Sequence, residues 1–86
     1  MTINSPGITF FVCSALCNHG CQTSEQLSNY IRRVYGENYS VNSVGSTVRK
    51  LIKEGKAASS KDENLKNVYW MTDFGKENFI KENNHA

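Results

Sequence analysis

The chain has 86 residues, of which 38% are hydrophobic and 10% aromatic, enough to bury the small core of one domain. No stretch approaches the roughly 20 consecutive apolar residues of a membrane-spanning helix, and the apolar segment 8–16 lacks the preceding cationic region of a signal peptide. These features argue against a membrane protein. We expect one cytoplasmic domain over residues 1–86, with loose ends at 1–5 and 82–86.

The formal net charge of +2 is unevenly distributed. Residues 1–22 carry no Asp, Glu, Lys or Arg, residues 23–36 sum to +1, and residues 40–56 sum to +3. A positive excess confined to consecutive segments is typical of a phosphate-binding surface. Its modest size favours binding that is weak or that depends on a dimer.

The first predicted helix begins near Pro6, which suits a first helical turn, and can end at Gly20. One apolar face follows the helical period and comprises Ile8, Phe11, Val12, Ala15 and Leu16. A second apolar face comprises Phe10, Cys13 and Cys17. Either the chain's own C-terminal helix or a second subunit covers this face, and we favour a subunit because the C-terminal segment is short and polar.

Three cysteines at intervals of four residues, Cys13, Cys17 and Cys21, have His19 among them, and both residue types bind zinc. A C-x-x-C pair and a second ligand cluster are missing, and His85 lies in the expected tail. We therefore expect small apolar residues in a contact, with no metal, no cofactor and no disulfide framework. No nucleophile–base motif and no phosphate-cradling glycine loop points to an enzyme.

The second and third predicted helices carry the positive excess. The second opens with a capping box of Thr23 and Gln26, closes at Gly36, buries Leu27, Ile31 and Val34, and turns Arg32 and Arg33 outward. Residues 21 and 22, just before it, are predicted as a very short strand. The third helix spans Ser40–Lys56, from an N-cap serine to a stop at Gly55. Its apolar stripe comprises Val44, Val48, Leu51 and Ile52.

The opposite face of the third helix mixes short hydrogen-bonding side chains with cations, a pattern that suits a DNA groove. An ordinary solvated helix face is the alternative, as is a plain αα-hairpin for the two helices together. Farther on, Asn67–Met71 is predicted as a strand, and residues 56–66 complete a β-hairpin with a polar tip at Lys61–Lys66. Thr72 or Asp73 then caps a last helix with Phe74, Phe79 and Ile80.

The order of three helices, hairpin and helix resembles a winged helix-turn-helix domain, similar to the MarR- and PadR-type bacterial and phage regulators. The resemblance covers Ile8–Ile80, with its best matches in TSEQLS (23–28), VGSTVRKLIKEGK (44–56) and VYWMTDFGKENF (68–79). The last resembles the Y-x-L-T-x-x-G step of such families, with Met71 in place of Leu. The resemblance implies an α+β fold in which 40–55 is the recognition helix of the major groove and the hairpin tip is the wing.

We interpret the protein as a small homodimeric transcription regulator that binds double-stranded DNA sequence-specifically, with no small-molecule ligand inferred. A winged-helix module that binds another protein is the alternative. The wing departs from a good DNA binder because its charges cancel, and Gly45 inside the recognition helix costs about 1 kcal/mol relative to Ala. The predicted DNA-binding residues are Thr23, Ser24, Arg32, Asn42, Ser43, Ser46, Arg49, Lys50, Lys53, Lys61 and Lys66, and the predicted dimer interface comprises Phe10, Cys13, Cys17, Phe79 and Ile80.

Overall fold

The computed structural model describes residues 7–83. Its elements are α1 (Ile8–Asn18), α2 (Ser24–Tyr35), α3 (Val41–Lys53), β1 (Ala57–Lys61), β2 (Asn67–Met71) and α4 (Asp73–Asn83). This order confirms the predicted α+β winged helix-turn-helix fold. The predictions for Pro6, His85 and the loose ends at 1–5 and 84–86 lie outside the described residues, whereas residues 82 and 83, expected in the tail, belong to the last turn of α4.

Side-chain caps fix the starts of the two central helices, as predicted. Thr23 Oγ1 accepts the N–H of Gln26 at 3.1 Å, and Gln26 Oε1 accepts the N–H of Thr23 at 3.0 Å, which completes the capping box. Ser40 Oγ accepts the N–H of Ser43 at 3.1 Å. Gly36 ends α2 in the left-handed conformation, with φ of 72°. Helix α1 ends at Asn18, two residues before the predicted glycine.

The core lies where α1, α2 and α3 meet one face of the hairpin. The largest fully buried side chains come from all three helices: Val12, Leu16, Leu27, Ile31, Val44 and Val48. On β2, the buried residues Tyr69 and Met71 alternate with half-buried neighbours, so one strand face closes the core. Within residues 7–83, no helix is both long and apolar enough to cross a membrane.

The prediction that Val34 lies in the core is wrong, because this side chain is 50% exposed. Tyr35, the next residue, packs toward α1 instead. Its ring lies 5.2 Å from that of Phe11, and its hydroxyl forms a 2.7 Å hydrogen bond with Ser14. At the end of α2, the ring of Tyr35 therefore makes the contact with α1 that the helical period had assigned to Val34.

Strands β1 and β2 form an antiparallel hairpin, and from here on we call the whole hairpin the wing. Its register runs from Ala57 opposite Met71 to Lys61 opposite Asn67. Lys61, predicted in the tip, is thus the last residue of β1. Gln22 pairs with Tyr69 through N–H···O bonds of 3.1 and 2.8 Å, so the short strand predicted at residues 21 and 22 is one isolated bridge. This bridge ties the start of α2 to the wing.

A compact joint, formed by Gly55, Lys56, Thr72 and Gly75, connects α3, both strands and α4; we call it the α4 anchor. Thr72 Oγ1 accepts the N–H of Gly75 at 3.0 Å and donates to the carbonyl of Gly55 at 2.8 Å. The N–H of Thr72 donates to the carbonyl of Lys56 at 3.0 Å. Of the two predicted caps, Thr72 is therefore the one that opens α4.

Helix α4 covers part of the second apolar face of α1. Phe79 of α4 lies 5.7 Å from Phe10, ring centre to ring centre, and Cys13 is only 5% exposed. Phe10 and Cys17 stay half-buried, so the preferred cover of this face by a second subunit stays a prediction. Helix α4 itself leaves two large apolar side chains in solvent, Phe74 at 55% and Ile80 at 58% exposure.

We predict that Gly75→Ala destabilises the fold strongly. A Cβ at this buried position would lie 1.9 Å from the carbonyl oxygen of Lys56, a backbone atom that cannot rotate away as a side chain could. Overpacking of this kind costs about 3 kcal/mol. Urea unfolding followed by circular dichroism measures the loss. Gly20→Ala is the control, because its Cβ would make an ordinary 3.6 Å contact with Trp70. Equal stability of the two variants would contradict the anchor.

Candidate nucleic-acid interface

Helix α3 presents one polar face to solvent because its apolar stripe is fully used by the core. Val44 and Val48 are completely buried, and Leu51 nearly so. The predicted contact residues on the opposite side are all exposed: Asn42, Ser43, Ser46, Arg49, Lys50 and Lys53. The helical period therefore placed this face correctly. Lys50 stands at its edge, where it borders a cleft between α1, α3 and α4.

Gly45 lets the start of α2 approach the middle of α3. A Cβ at this buried glycine would lie 3.3 Å from Ser24 Oγ and 3.3 Å from Arg49 Nη1. The glycine thus serves close helix packing, one of the reasons for accepting its cost inside a helix. It brings the first residue of α2 beside the guanidinium of α3, and so joins two groups of predicted contact residues into one surface.

Hydrogen bonds order the exposed side chains of α3. Arg49 Nη2 donates to Ser46 Oγ at 3.2 Å, which lays the guanidinium along the helix face. Ser40 donates its hydroxyl to Ser43 Oγ at 3.0 Å, and Thr47 donates to the carbonyl of Ser43 at 3.0 Å. Of the predicted contact residues near the N-terminal end of α3, Asn42 alone has a side chain with no hydrogen bond within residues 7–83.

A groove separates the start of α2 from the wing and has a volume of about 380 Å³. It collects four predicted DNA-binding residues from two distant parts of the sequence, Thr23 and Ser24 at the start of α2 with Lys61 and Lys66 on the wing. Its other lining residues are Glu25, Leu65, Asn67 and Tyr69. Sequence order alone gives no sign that these residues share a groove, since the isolated bridge at Gln22 is what brings the two elements together.

The predicted DNA-binding cations of this surface form no ion pair with acidic side chains within residues 7–83. Within residues 7–83 the structure contains one ion pair, between Lys56 and Glu54 at 3.5 Å, and neither belongs to the predicted contact residues. Arg32 is exposed and donates to Asn29 Oδ1 at 3.0 Å on its own helix. It does not line the groove between α2 and the wing, so it forms a separate positive position on α2.

The wing tip is a tight turn organised by Asp62. One carboxylate oxygen of Asp62 accepts the N–H groups of Asn64 at 2.8 Å and Lys66 at 2.9 Å. The turn places Leu65 in the left-handed conformation, with φ of 61°, and leaves it 75% exposed. Sequence reasoning missed this residue; the available signal was a single large apolar side chain in an otherwise polar hairpin tip.

Two of the cysteines, Cys13 and Cys17, belong to α1, and Cys21 precedes α2. Burial raises the pKa of the Cys13 thiol from its ordinary value of 9.0 to about 11, with a further contribution from nearby Cys17. Burial also raises the pKa of Cys17. Within residues 7–83, no group of three or more His, Cys, Asp or Glu side chains is placed to hold a metal ion. A protein without bound zinc stays a prediction, which elemental analysis checks.

The raised pKa of Cys13 predicts a loss of stability at alkaline pH. The unfolded chain releases this proton near pH 9, whereas the folded chain keeps it until about pH 11. The stabilising effect is therefore complete below pH 9 and is lost as the pH rises toward 11, by an amount on the order of 2 kcal/mol. Urea unfolding at pH 8 and pH 10.5 measures it. Cys13→Ala should flatten the decline and exposed Cys21→Ala should not; identical pH profiles would refute the assignment.

No protein-family model and no curated protein matches the chain. Solved structures with similar folds include RosR of H. salinarum, 14% identical over 92% of this chain and 71% of that one, with a TM-score of 0.76. A transcriptional regulator from Clostridium thermocellum is 19% identical over 87% and 75%, with a TM-score of 0.74. Bacillus subtilis PadR in complex with operator DNA is 16% identical over 92% and 48%, with a TM-score of 0.76. The chain therefore has the winged helix-turn-helix fold of PadR- and RosR-type regulators.

Proposed function

We propose that this protein is a transcription regulator that binds double-stranded DNA sequence-specifically and lays α3 in the major groove. The observation that carries the proposal is the continuous polar and cationic surface from α3, across Ser24, to the groove beside the wing. The similar fold of PadR, solved with operator DNA, supports it. Such a protein acts in the cytoplasm, where it has access to DNA.

The exposed residues of α3 differ in whether they reach the bases or the phosphates of the DNA. Asn42, Ser43 and Ser46 lie near the N-terminal end of the helix, which enters deepest in helix-turn-helix docking, and contact base edges. Asn reads adenine through two hydrogen bonds, and Arg49 reads guanine in the same way. Lys50 and Lys53, nearer the C-terminal end, neutralise phosphates.

The groove beside the wing holds the DNA backbone. The first turn of α2 directs its free N–H groups and its positive dipole end toward this groove, which suits a phosphate oxygen. The hydroxyls of Thr23 and Ser24 add donors, and Lys61 and Lys66 add charge from the opposite wall. Arg32 extends the phosphate contacts along α2. These contacts fix the register in which α3 meets the bases.

We further propose a symmetric homodimer with α4 at its interface. The outer face of α4 carries exposed Phe74 and Ile80 together with exposed Glu77 and Lys81. Two copies of this face packed antiparallel about a two-fold axis place Glu77 of one against Lys81 of the other and bury the apolar pair. A two-fold dimer presents two copies of α3 to half-sites about 34 Å apart. The other predicted interface residues, Phe10, Cys13 and Cys17 of α1 and Phe79 of α4, then lie behind this interface, between α1 and α4.

A double lysine variant tests the DNA assignment. We expect Lys50→Ala with Lys53→Ala to weaken all duplexes alike and to reduce the slope of log affinity against log salt by about two, one for each lost phosphate contact. Fluorescence anisotropy over a salt series measures both. Arg33→Ala with Lys76→Ala is the matched control, because it removes the same charge from exposed positions away from α3. Unchanged binding by the folded lysine variant would favour the protein-binding alternative.

Loss of a base contact has a different signature. We expect Asn42→Ala to lose about 1–3 kcal/mol of discrimination at one position of the binding site, with the salt slope unchanged, because an amide contributes no charge. Selection from a random-sequence duplex library with each protein measures the preference. An identical selected motif for both proteins would remove Asn42 from the base-reading set.

The dimer is tested on α4. We expect Ile80→Glu, and equally Phe74→Glu, to yield a folded monomer with weakened DNA binding, because both side chains are exposed in the single chain. Val34→Glu is the control, since Val34 is an exposed apolar residue on a different helix. Sedimentation measures the assembly. Phe10 is unsuitable for this test because it packs against Phe11 and Phe79 within the chain. A wild-type monomer at tens of micromolar would end the dimer proposal.

A further inference from the structure

Leu65 is unusual in both its exposure and its backbone. It is the most exposed large apolar side chain among the described residues, at 75%, and its φ of 61° is a conformation that leucine rarely adopts. Gly, Asn or Asp fills such a turn position without strain. The fold therefore gains nothing from a leucine here, neither buried area nor turn geometry.

The turn nevertheless holds Leu65 firmly. The carboxylate of Asp62 accepts the N–H groups of Asn64 and Lys66, the residues on either side of Leu65. The backbone carbonyl of Asp62 accepts the N–H of Leu65 at 3.0 Å. A backbone fixed in this way loses little conformational freedom when the tip binds. The tip thus presents one apolar side chain from a preordered backbone at the end of an otherwise polar hairpin.

The surroundings of Leu65 indicate what it meets. It lines the groove between α2 and the wing, beside the hydroxyls of Thr23 and Ser24 and the ammonium groups of Lys61 and Lys66. Through Ser24 this groove is continuous with Gly45 and Arg49 of α3. An apolar tip with cations at its base matches the minor groove, where sugar C–H groups form the walls and phosphates form the rims.

We propose that Leu65 is the minor-groove contact of the wing: its side chain packs on sugar edges of the minor groove next to the half-site read by α3. This rests on the proposed function and adds a contact to it. It also accounts for the neutral wing. Asp62 is used by the turn, so the wing binds through apolar contact and geometry, with its two lysines on the adjacent phosphates.

The substitution Leu65→Asn distinguishes the effect of the apolar side chain on DNA binding from the effect of the turn geometry on stability. Asn tolerates the left-handed conformation, so we expect an equal or higher melting temperature. On a duplex that the wild-type protein selects from a random-sequence library, we expect affinity to fall roughly tenfold, the effect of losing about half the burial of a leucine. The salt slope should not change, because no phosphate contact is lost. Leu65→Met is the matched control, since it retains apolar reach, and should bind like wild type.

Two further measurements locate the contact. Hydroxyl radicals attack sugars from the minor groove, so wild type should protect sugars beside the half-site and Leu65→Asn should not. Lys66→Ala should instead lower the salt slope by about one. Wild-type affinity of Leu65→Asn, with Lys50→Ala and Lys53→Ala still weakening binding, overturns the Leu65 contact alone. Failure of wild type to select any duplex overturns the proposed function as well. A change in sedimentation of Leu65→Asn without DNA would assign the leucine to a protein contact and overturn the proposal.

Discussion

The geometry of the domain depends on the α4 anchor, where three elements meet within one short stretch of backbone. Lys56 donates its N–H to the carbonyl of Leu51 at 2.9 Å, which closes α3, and its own carbonyl accepts the N–H of Thr72. Gly55 turns the chain there with φ of 78°. Because Gly75 has no side chain, α4 can pack directly against the same carbonyl. The end of α3, the base of the wing and the start of α4 therefore share one set of bonds, and none can rotate without the others.

Local sequence rules predicted much of this fold because caps and periods act over a few residues. The Thr23–Gln26 box, the Ser40 cap and the stripe through Val44 each depend on neighbours within two helical turns. The wrong prediction for Val34 involves a distant partner. Val34 followed the period of α2, but the ring of Tyr35 packs against Phe11 across the core. The position of α4 beside α1 likewise depends on the anchor, which no helical period encodes.

The same distinction between local pattern and distant partners applies to the candidate site. Exposure of the α3 face follows from burial of its opposite side, so those residues were predictable from the period alone. The groove beside the wing was not, because it requires the bridge between Gln22 and Tyr69 to bring residues 23–25 next to residues 61–67. The sequence shows Leu65 as a single apolar residue in a polar tip, but its exposure and left-handed backbone come from the bonds of Asp62 to the turn. Sequence thus identified the chemistry of the surface, and tertiary contacts determined its extent.

Charge favours the proposed dimer over a single DNA-binding chain. One chain offers Arg32, Arg49, Lys50, Lys53, Lys61 and Lys66, against the nearby acids Glu25, Asp62 and Glu63. Each phosphate neutralised contributes about 0.9 to the salt slope, so a single domain would supply only part of the affinity that the proposed regulator needs at physiological salt. In the proposed two-fold dimer, the second half-site would be bound from within the complex, at a high effective concentration. Helix α4, held at a fixed angle to α3 by the anchor, would then set the spacing between half-sites, and the joint that stabilises one chain would also determine which DNA the proposed dimer binds.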